Sequence, residues 1–333
     1  MFEDYSSDET GSRKSRALEK LMRDLGPQFL AKFRSQKLVE VMCNPNEEGN
    51  SSIFWEEQGK DMEHDPELSK RFNPSRAESV IKTVAGFHGK VVNEDNPILE
   101  CQFPLDGSRF TGIMPPVTSS PSFTIRKRPS RVYTLDEYIS AEIITKTQKI
   151  AIQESISRKD NILVIGGTGS GKTTLVNAII REMTDQNPAE RIYISEDTGE
   201  IRCDSNNKVH VYTTSNVDLT KLVRTALRYR PDRIVVGEVR GAEALDLLDS
   251  WNTGHPGGIA TVHANSALLG LERLEGLITR NPWHPKEIRQ LIAQVVNVII
   301  FITKNNVTGR KVEEIIRISG YDNNTKSFIF NNL

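Results

Sequence analysis

A short aliphatic run, Asn161-Ile162-Leu163-Val164-Ile165, leads directly into Gly166-Gly167-Thr168-Gly169-Ser170-Gly171-Lys172-Thr173. That loop leads into Thr174-Leu175-Val176-Asn177-Ala178-Ile179-Ile180, whose apolar residues fall at helical spacing. Strand, glycine-rich loop and helix in immediate succession leave few folds open. They require a buried strand with its carboxyl end free and a helix packed back against it, the unit from which α/β sheets are built. The octapeptide fits G-x-x-x-x-G-K-[ST] at every fixed position. Glycines let the backbone curl so that successive N–H groups point at phosphate oxygens. Lys172 supplies a point charge for β- and γ-phosphates, and the Thr173 hydroxyl can ligate Mg²⁺. The helix that begins here adds the positive end of its dipole. ATP and Mg²⁺ are the expected ligands.

Around this unit the chain alternates between strand-like and helix-like segments. Strands are expected at 161–165, 191–196, 208–213, 232–237, 258–263, 297–303 and 311–318, and helices at 146–158, 172–184, 218–229, 241–252, 266–279 and 285–296. That pattern predicts an α/β domain with a mainly parallel sheet, the final strands forming an antiparallel addition. The first part of the chain reads differently. A helical pattern from Ser15 to Phe33, broken at Gly26-Pro27, precedes strand-like runs at 38–42, 52–55, 98–103, 109–113 and 122–126 and a helix over 74–87. This predicts a smaller α+β domain. Residues 1–12 read as a disordered tail, 13–130 as the N-terminal domain, 131–141 as a hinge after Pro115, Pro116, Pro121 and Pro129, and 142–333 as the nucleotide-binding domain.

Bulk properties narrow the partners. A formal net charge of −1 over 333 residues gives no basic field for nucleic acid or anionic lipid, and no reading helix stands out, so sequence-specific nucleic-acid binding is not expected. Cys43, Cys101 and Cys203 are scattered without zinc spacing, which fits a reducing compartment. The polar start, MFEDYSSDETGSRK, lacks the apolar core of a signal peptide, and Val295 to Ile302 is too short to span a bilayer. A cytoplasmic protein without a transmembrane segment is expected.

A phosphate loop needs carboxylates nearby. Arg233-Ile234-Val235-Val236-Gly237-Glu238 is an apolar strand with an acid at its tip. Such a strand carries Glu238 to the sheet's carboxyl end, where it can orient water or act as general base, with Arg240 as a partner. Glu196-Asp197-Thr198-Gly199-Glu200 follows another strand, and its carboxylates can hold Mg²⁺ or its waters. His263 ends a third strand in line with Lys172 and Glu238, which suits sensing of the γ-phosphate. Arginines cluster at Arg109, Arg126, Arg128 and Arg131 and again at Arg224, Arg228 and Arg230, and their planar forks suit phosphate.

In this order the motifs GGTGSGKTT, SEDTGEIR, RPDRIVVGEVRGAEALDLL and TGHPGGIATVHANS resemble those of the secretion and traffic ATPases, the motors of type IV secretion, type II secretion and type IV pili. NPILECQFPLDGSRFTGIMPPV and SFTIRKRP are similar to the conjugal-transfer ATPases of the TrbB type within that family. The resemblance covers roughly residues 15–320 and implies a RecA-like C-terminal domain and a homo-hexamer peripheral to the inner membrane, working with its inner-membrane components. It further implies nucleotide between the two domains and a domain swing on hydrolysis. Carried onto this sequence, it gives Lys172 and Thr173 to phosphate and Mg²⁺, Glu238 to catalysis, Glu196 to metal and water, and His263 to the γ-phosphate. The same comparison gives Arg109, Arg126 and Arg128 to nucleotide from the N-terminal domain. The tetracysteine zinc site of many type II members is absent, and segment 44–72 is acidic and divergent. A type II or pilus motor, and a nucleotide-gated scaffold with little turnover, are the alternatives; intact P-loop lysine and carboxylates weigh against the scaffold.

Overall fold

Alternating buried and partly exposed residues in β1 (Leu38–Pro45), β2 (Ser51–Glu57) and their partners build a half-buried antiparallel sheet. The computed structural model describes residues 7–128, 131–214, 216–305 and 309–333, with the backbone alone over 7–12. It divides into residues 1–130 and residues 131–333.

In the first unit, α1 (Ser7–Phe33), β1 and β2 are followed by β3 (Glu63–Asp65), α2 (Pro66–Ser69), α3 (Pro74–Phe87), β4 (Ile98–Gln102), β5 (Arg109–Ile113) and β6 (Ser122–Arg126). The sheet order is β3-β2-β1-β6-β5-β4, and every pairing is antiparallel. Leu21, Leu25 and Phe29 of α1 meet Val80, Ile81 and Val84 of α3 and the inward residues Val41, Ile53, Trp55, Phe110 and Ile125. Trp55, 2% exposed, lies 5.0 Å from the Phe29 ring. Helix α1 starts at Ser7, so backbone over 7–12, expected as disordered tail, is helical, while residues 1–6 fall outside the described residues. Extending a helix already nucleated by packed residues needs only one residue fixed per added hydrogen bond. Strand β3 and helix α2 follow β2 in the acidic segment 44–72, where only the strand over 52–55 was expected; Asp65 caps α2 by accepting from Leu68 N.

The expected break at Gly26-Pro27 appears as a kink, with Gly26 at φ 77° and ψ 162°. Proline removes one donor and the turn opens, which strands nearby carbonyls. Arg76 of α3 satisfies two of them: its guanidinium donates to Asp24 O and to Arg23 O at 3.4 Å, and a third bond, to Arg71 O at 2.8 Å, ties it to the turn before α3. Replacing Arg76 with methionine, which keeps the apolar stem, is expected to destabilise this unit by about 1–3 kcal/mol. Thermal unfolding followed by circular dichroism checks this; an unchanged midpoint would show that the kink carbonyls find other partners.

The second unit runs α4 (Leu135–Ser140), α5 (Lys146–Ser157), β7 (Ile162–Gly166), α6 (Lys172–Gln186), β8 (Ile192–Glu196), β9 (Lys208–Tyr212), α7 (Leu219–Ala226) and β10 (Arg233–Val236). It continues with α8 (Glu243–Asn252), β11 (Ile259–His263), α9 (Ala267–Ile278), α10 (Ile288–Val295), β12 (Val298–Asn305), β13 (Gly309–Asp322) and β14 (Ser327–Asn332). The sheet order is β14-β13-β12-β7-β11-β10-β8-β9. From β12 to β9 all pairings are parallel, and β13 and β14 add antiparallel strands at one edge. Strand β14 was not expected, and α4 forms where a hinge was read. Leu135 and Tyr138 bring α4 into the core, and Thr134 and Glu137 close a capping box at its start.

Burial on both faces explains the unbroken apolar stretches Ile162–Ile165 of β7, Ile192–Ile194 of β8 and Ile234–Val236 of β10. Leu163, Ile234 and Trp251 belong to one face, and Val164, Leu175 and Ile194 to the other. Gly258 of the glycine-rich run before β11 is required by packing: a Cβ there would stand 2.0 Å from Trp251 Nε1, which donates to Ile234 O at 3.2 Å. Arg233, fully buried at the start of β10, donates to Glu190, to Gly257 O at 3.2 Å and to Ile156 O at 3.1 Å, so its charge is paired within the fold.

Candidate nucleotide site

Strand order decides which side chains meet. β7, β11, β10 and β8 are successive neighbours, and all are parallel, so their carboxyl ends lie along one rim. Register then aligns Gly166 with His263 across β7 and β11, and Val236 with Ser195 across β10 and β8. The residues just beyond these positions are Gly167, Gly237-Glu238 and Glu196-Asp197. Gly237 has no room for a side chain, because a Cβ would come within 2.7 Å of Glu196 Cβ. Glycine at that position lets the two acidic strand tips sit side by side.

Between β7 and α6 the loop turns back on itself, with Gly171 at φ 98° serving as the N-cap of α6. Thr168 and Gly169 are exposed, Gly167, Thr173 and Thr174 half-buried, and Ser170 and Lys172 buried. The Lys172 ammonium donates to Gly166 O and Gly167 O, both at 2.9 Å, and to His263 Nδ1 at 3.2 Å. An ammonium has no lone pair, so Nδ1 is the acceptor and the Nε2–H faces Glu238 Oε1 at 3.2 Å. Arg240 completes the chain, with one nitrogen 2.6 Å from Glu238 Oε2 and another 3.3 Å from Asp197 Oδ2.

Charge along this chain is tuned in opposite directions. Burial pulls the His263 pKa below 6.5, the Lys172 charge adds to that, and Glu238 opposes both without reversing them. The imidazole is therefore held neutral. Burial acts to raise the Glu238 carboxyl, but Arg240, His263 and Lys172 outweigh it and hold it below its ordinary range. The result is an ionised carboxylate and a neutral ring between two fixed cations.

Glu196 is placed differently from what its position at a strand tip suggested. It is 4% exposed, and its oxygens accept from Glu200 N at 2.9 Å, Ile201 N at 3.1 Å and His210 Nε2 at 2.6 Å. Burial pushes its carboxyl up despite these donors. The acid that touches the loop is Glu200, whose Oε2 accepts from the Thr173 hydroxyl at 3.4 Å. Arg310 of β13 was also not singled out by the sequence. It lies against Gly171, where a Cβ would meet its Cδ at 3.1 Å, and it donates to Gly169 O at 3.5 Å.

The family described as Type II/IV secretion system protein matches residues 46–320. The chain belongs to that family. Among secretion-system relatives, the conjugal transfer protein TrbB of Rhizobium radiobacter is 41% identical over 309 residues, which cover 93% of this chain and 92% of the relative. The type IV secretion system protein PtlH of Bordetella pertussis is 32% identical over 267 residues, covering 69% and 78% of the two chains. The fold is shared with the ATPase DotB of Legionella pneumophila, at TM-score 0.58 and 21% identity over 85% of this chain and 77% of that one.

In this secretion-system chain the basic residues expected at nucleotide from the N-terminal domain gather within the first unit. Arg109 and Arg126 are direct cross-strand partners on β5 and β6, and Glu100 is 3.9 Å from Arg109. Glu40 of β1 is the cross-strand partner of Arg126 on its other side, so acidic residues stand beside both arginines. Arg128 packs its guanidinium against Gly107, and its Nε is buried without a partner among the described residues.

Proposed function

We propose that this chain is an ATP-hydrolysing motor of a conjugative transfer or type IV secretion system, acting as a ring of six copies. The observation that carries the reading is the unbroken contact Lys172–His263–Glu238–Arg240 at the rim beside the phosphate loop. It joins a phosphate-binding cation to an ionised acid through a neutral imidazole, the parts that in-line attack of water on a γ-phosphate requires. The 41% identity to a conjugal transfer protein over nearly its whole length favours conjugation over type II secretion or pilus motors. Its domain is of the RecA-like kind, with the parallel strands β12 to β9 as its sheet.

Gly166 to Thr174 would wrap the triphosphate, with Lys172 moving from its loop carbonyls onto the β- and γ-oxygens. Thr173 and Glu200 are the donors on this chain suited to Mg²⁺. Among the described residues no group of three or more His, Cys, Asp or Glu could hold a metal by itself. When bound, Mg²⁺ neutralises charge on the phosphates. Glu238 would take the proton from attacking water, and His263, touching Lys172 and Glu238 together, would register whether a γ-phosphate is there. Glu196 would act on the acidic loop, not on metal. Arg109, Arg126 and Arg128 are the residues proposed for nucleotide contact from the first unit. Among the described residues no helix is long and apolar enough to cross a membrane. Docking to inner-membrane components of the secretion machine is the proposed source of attachment, on the cytoplasmic side.

One experiment tests this reading. Purified protein with Mg²⁺ and ATP is expected to release phosphate and to scatter light as a species near six subunits. A strict monomer without turnover at micromolar concentration would overturn the motor, and a stable ring without turnover would favour a scaffold.

A further inference from the structure

His210 has no role in the mechanism above, yet it makes the shortest polar contact to the buried acid beside the site. It sits on β9, the edge strand, where Ile194 pairs with His210 and Glu196 with Tyr212. Its Nε2 is 2.6 Å from Glu196 Oε1, its ring stacks on Tyr212 at 4.7 Å, and 18% of its side chain is exposed. Glu196 accepts from the backbone N–H of Glu200 and Ile201, so the facing His210 nitrogen acts as a third donor. A buried carboxylate with three donors is a fixed anchor, and this one fixes a loop.

The loop it fixes leads to the phosphate loop. Ile201, 3% exposed, anchors in the core, Asn177 of α6 donates to Glu200 O at 3.2 Å, and Arg202 N donates to Asn177 Oδ1 at 2.9 Å. Asn177 lies one helical turn beyond Thr173, so the backbone around Glu200 is tied to the same helix that carries the hydroxyl. Between these ties the Glu200 carboxylate meets the Thr173 hydroxyl.

We propose that His210 is a positioning residue: by donating to Glu196 it locks the acidic loop and so holds the Glu200 carboxylate at Thr173. The assignment rests on the nucleotide reading above and predicts an effect on the part of nucleotide affinity that depends on Mg²⁺.

The test uses the full chain and the fluorescent nucleotide mant-ADP, titrated once in EDTA and once in excess Mg²⁺. His210→Phe keeps the ring on Tyr212 but has no donor. His210→Gln keeps a donor of similar reach. Wild-type protein is expected to bind more tightly with Mg²⁺. In His210→Phe that gain should shrink by about tenfold, the scale of one lost charge-assisted hydrogen bond, while affinity in EDTA stays within about twofold. His210→Gln should recover most of the gain. An unchanged gain in His210→Phe overturns the assignment. So does an equal loss in both buffers that His210→Gln does not repair, since that is the behaviour of a residue that only supports the fold. Wild-type protein that binds no mant-ADP in either buffer would instead overturn the nucleotide reading, and this assignment with it.

Discussion

Replacing Glu238 with glutamine is expected to leave nucleotide binding in place and to lower phosphate release at saturating ATP by roughly two orders of magnitude or more. The substitution preserves shape. The glutamine amide oxygen can still accept from Arg240, while its NH2 group then faces the His263 Nε2–H and that one contact is lost. What it removes is the capacity to accept a proton and the negative charge that aligns a water. The wild-type carboxyl is well suited to that work, because Arg240, His263 and Lys172 keep it ionised against the effect of burial. Single-turnover measurement on nucleotide-loaded protein separates the chemical step from binding. Near-normal turnover would remove Glu238 from catalysis and turn attention to the other acids of the rim.

Replacing Lys172 with alanine is expected to weaken ATP binding by about 2–4 kcal/mol, or roughly 30- to 1000-fold. The resting position of the side chain explains why the effect is large but bounded. Its ammonium is already satisfied by Gly166 O, Gly167 O and His263, so phosphate exchanges partners with it and does not meet a free charge. The same substitution carries an internal control. The Lys172 charge is one of the forces depressing the His263 pKa, so alanine should raise that pKa toward its ordinary value. Histidine titration by nuclear magnetic resonance checks it: the neutral fraction of His263 at pH 7 should fall. Unchanged affinity together with an unchanged His263 titration would mean that Lys172 does not sit in the phosphate cradle.

Much of this geometry was legible because parallel strands buried on both faces cannot hide. Ile162–Gly166, Ile192–Glu196 and Arg233–Val236 have no polar alternation to confuse with a helix; the first two end on a glycine and an acid, and the third runs straight into Gly237-Glu238. Their tips therefore identify the rim. The misreadings share a cause. The strand Ser327–Asn332 is mostly exposed and, among the described residues, pairs with Gly309–Asp322 alone, so little in its own composition marks it. The helix Leu135–Ser140 is short and follows prolines, and what draws it into the core is the packing of Leu135 and Tyr138, which local sequence does not display. The residues alone pointed to the whole cluster Glu196 to Glu200, and the resemblance singled out Glu196. Which acid faces Thr173 depends on how the loop folds back, and local sequence does not encode that. Arg310 reaches Gly171 from a hairpin more than a hundred residues away, a contact that no spacing rule anticipates.

The chain has three tryptophans. Trp55 and Trp251 are 2% and 3% exposed, one in each unit, and Trp283 is 87% exposed. Each unit thus carries its own interior chromophore, and the solvent-facing one can be replaced by phenylalanine without disturbing either core. Two further single-tryptophan versions would then report the melting of each half separately in one emission spectrum, and would show whether occupying the phosphate cradle protects the half that holds it or both.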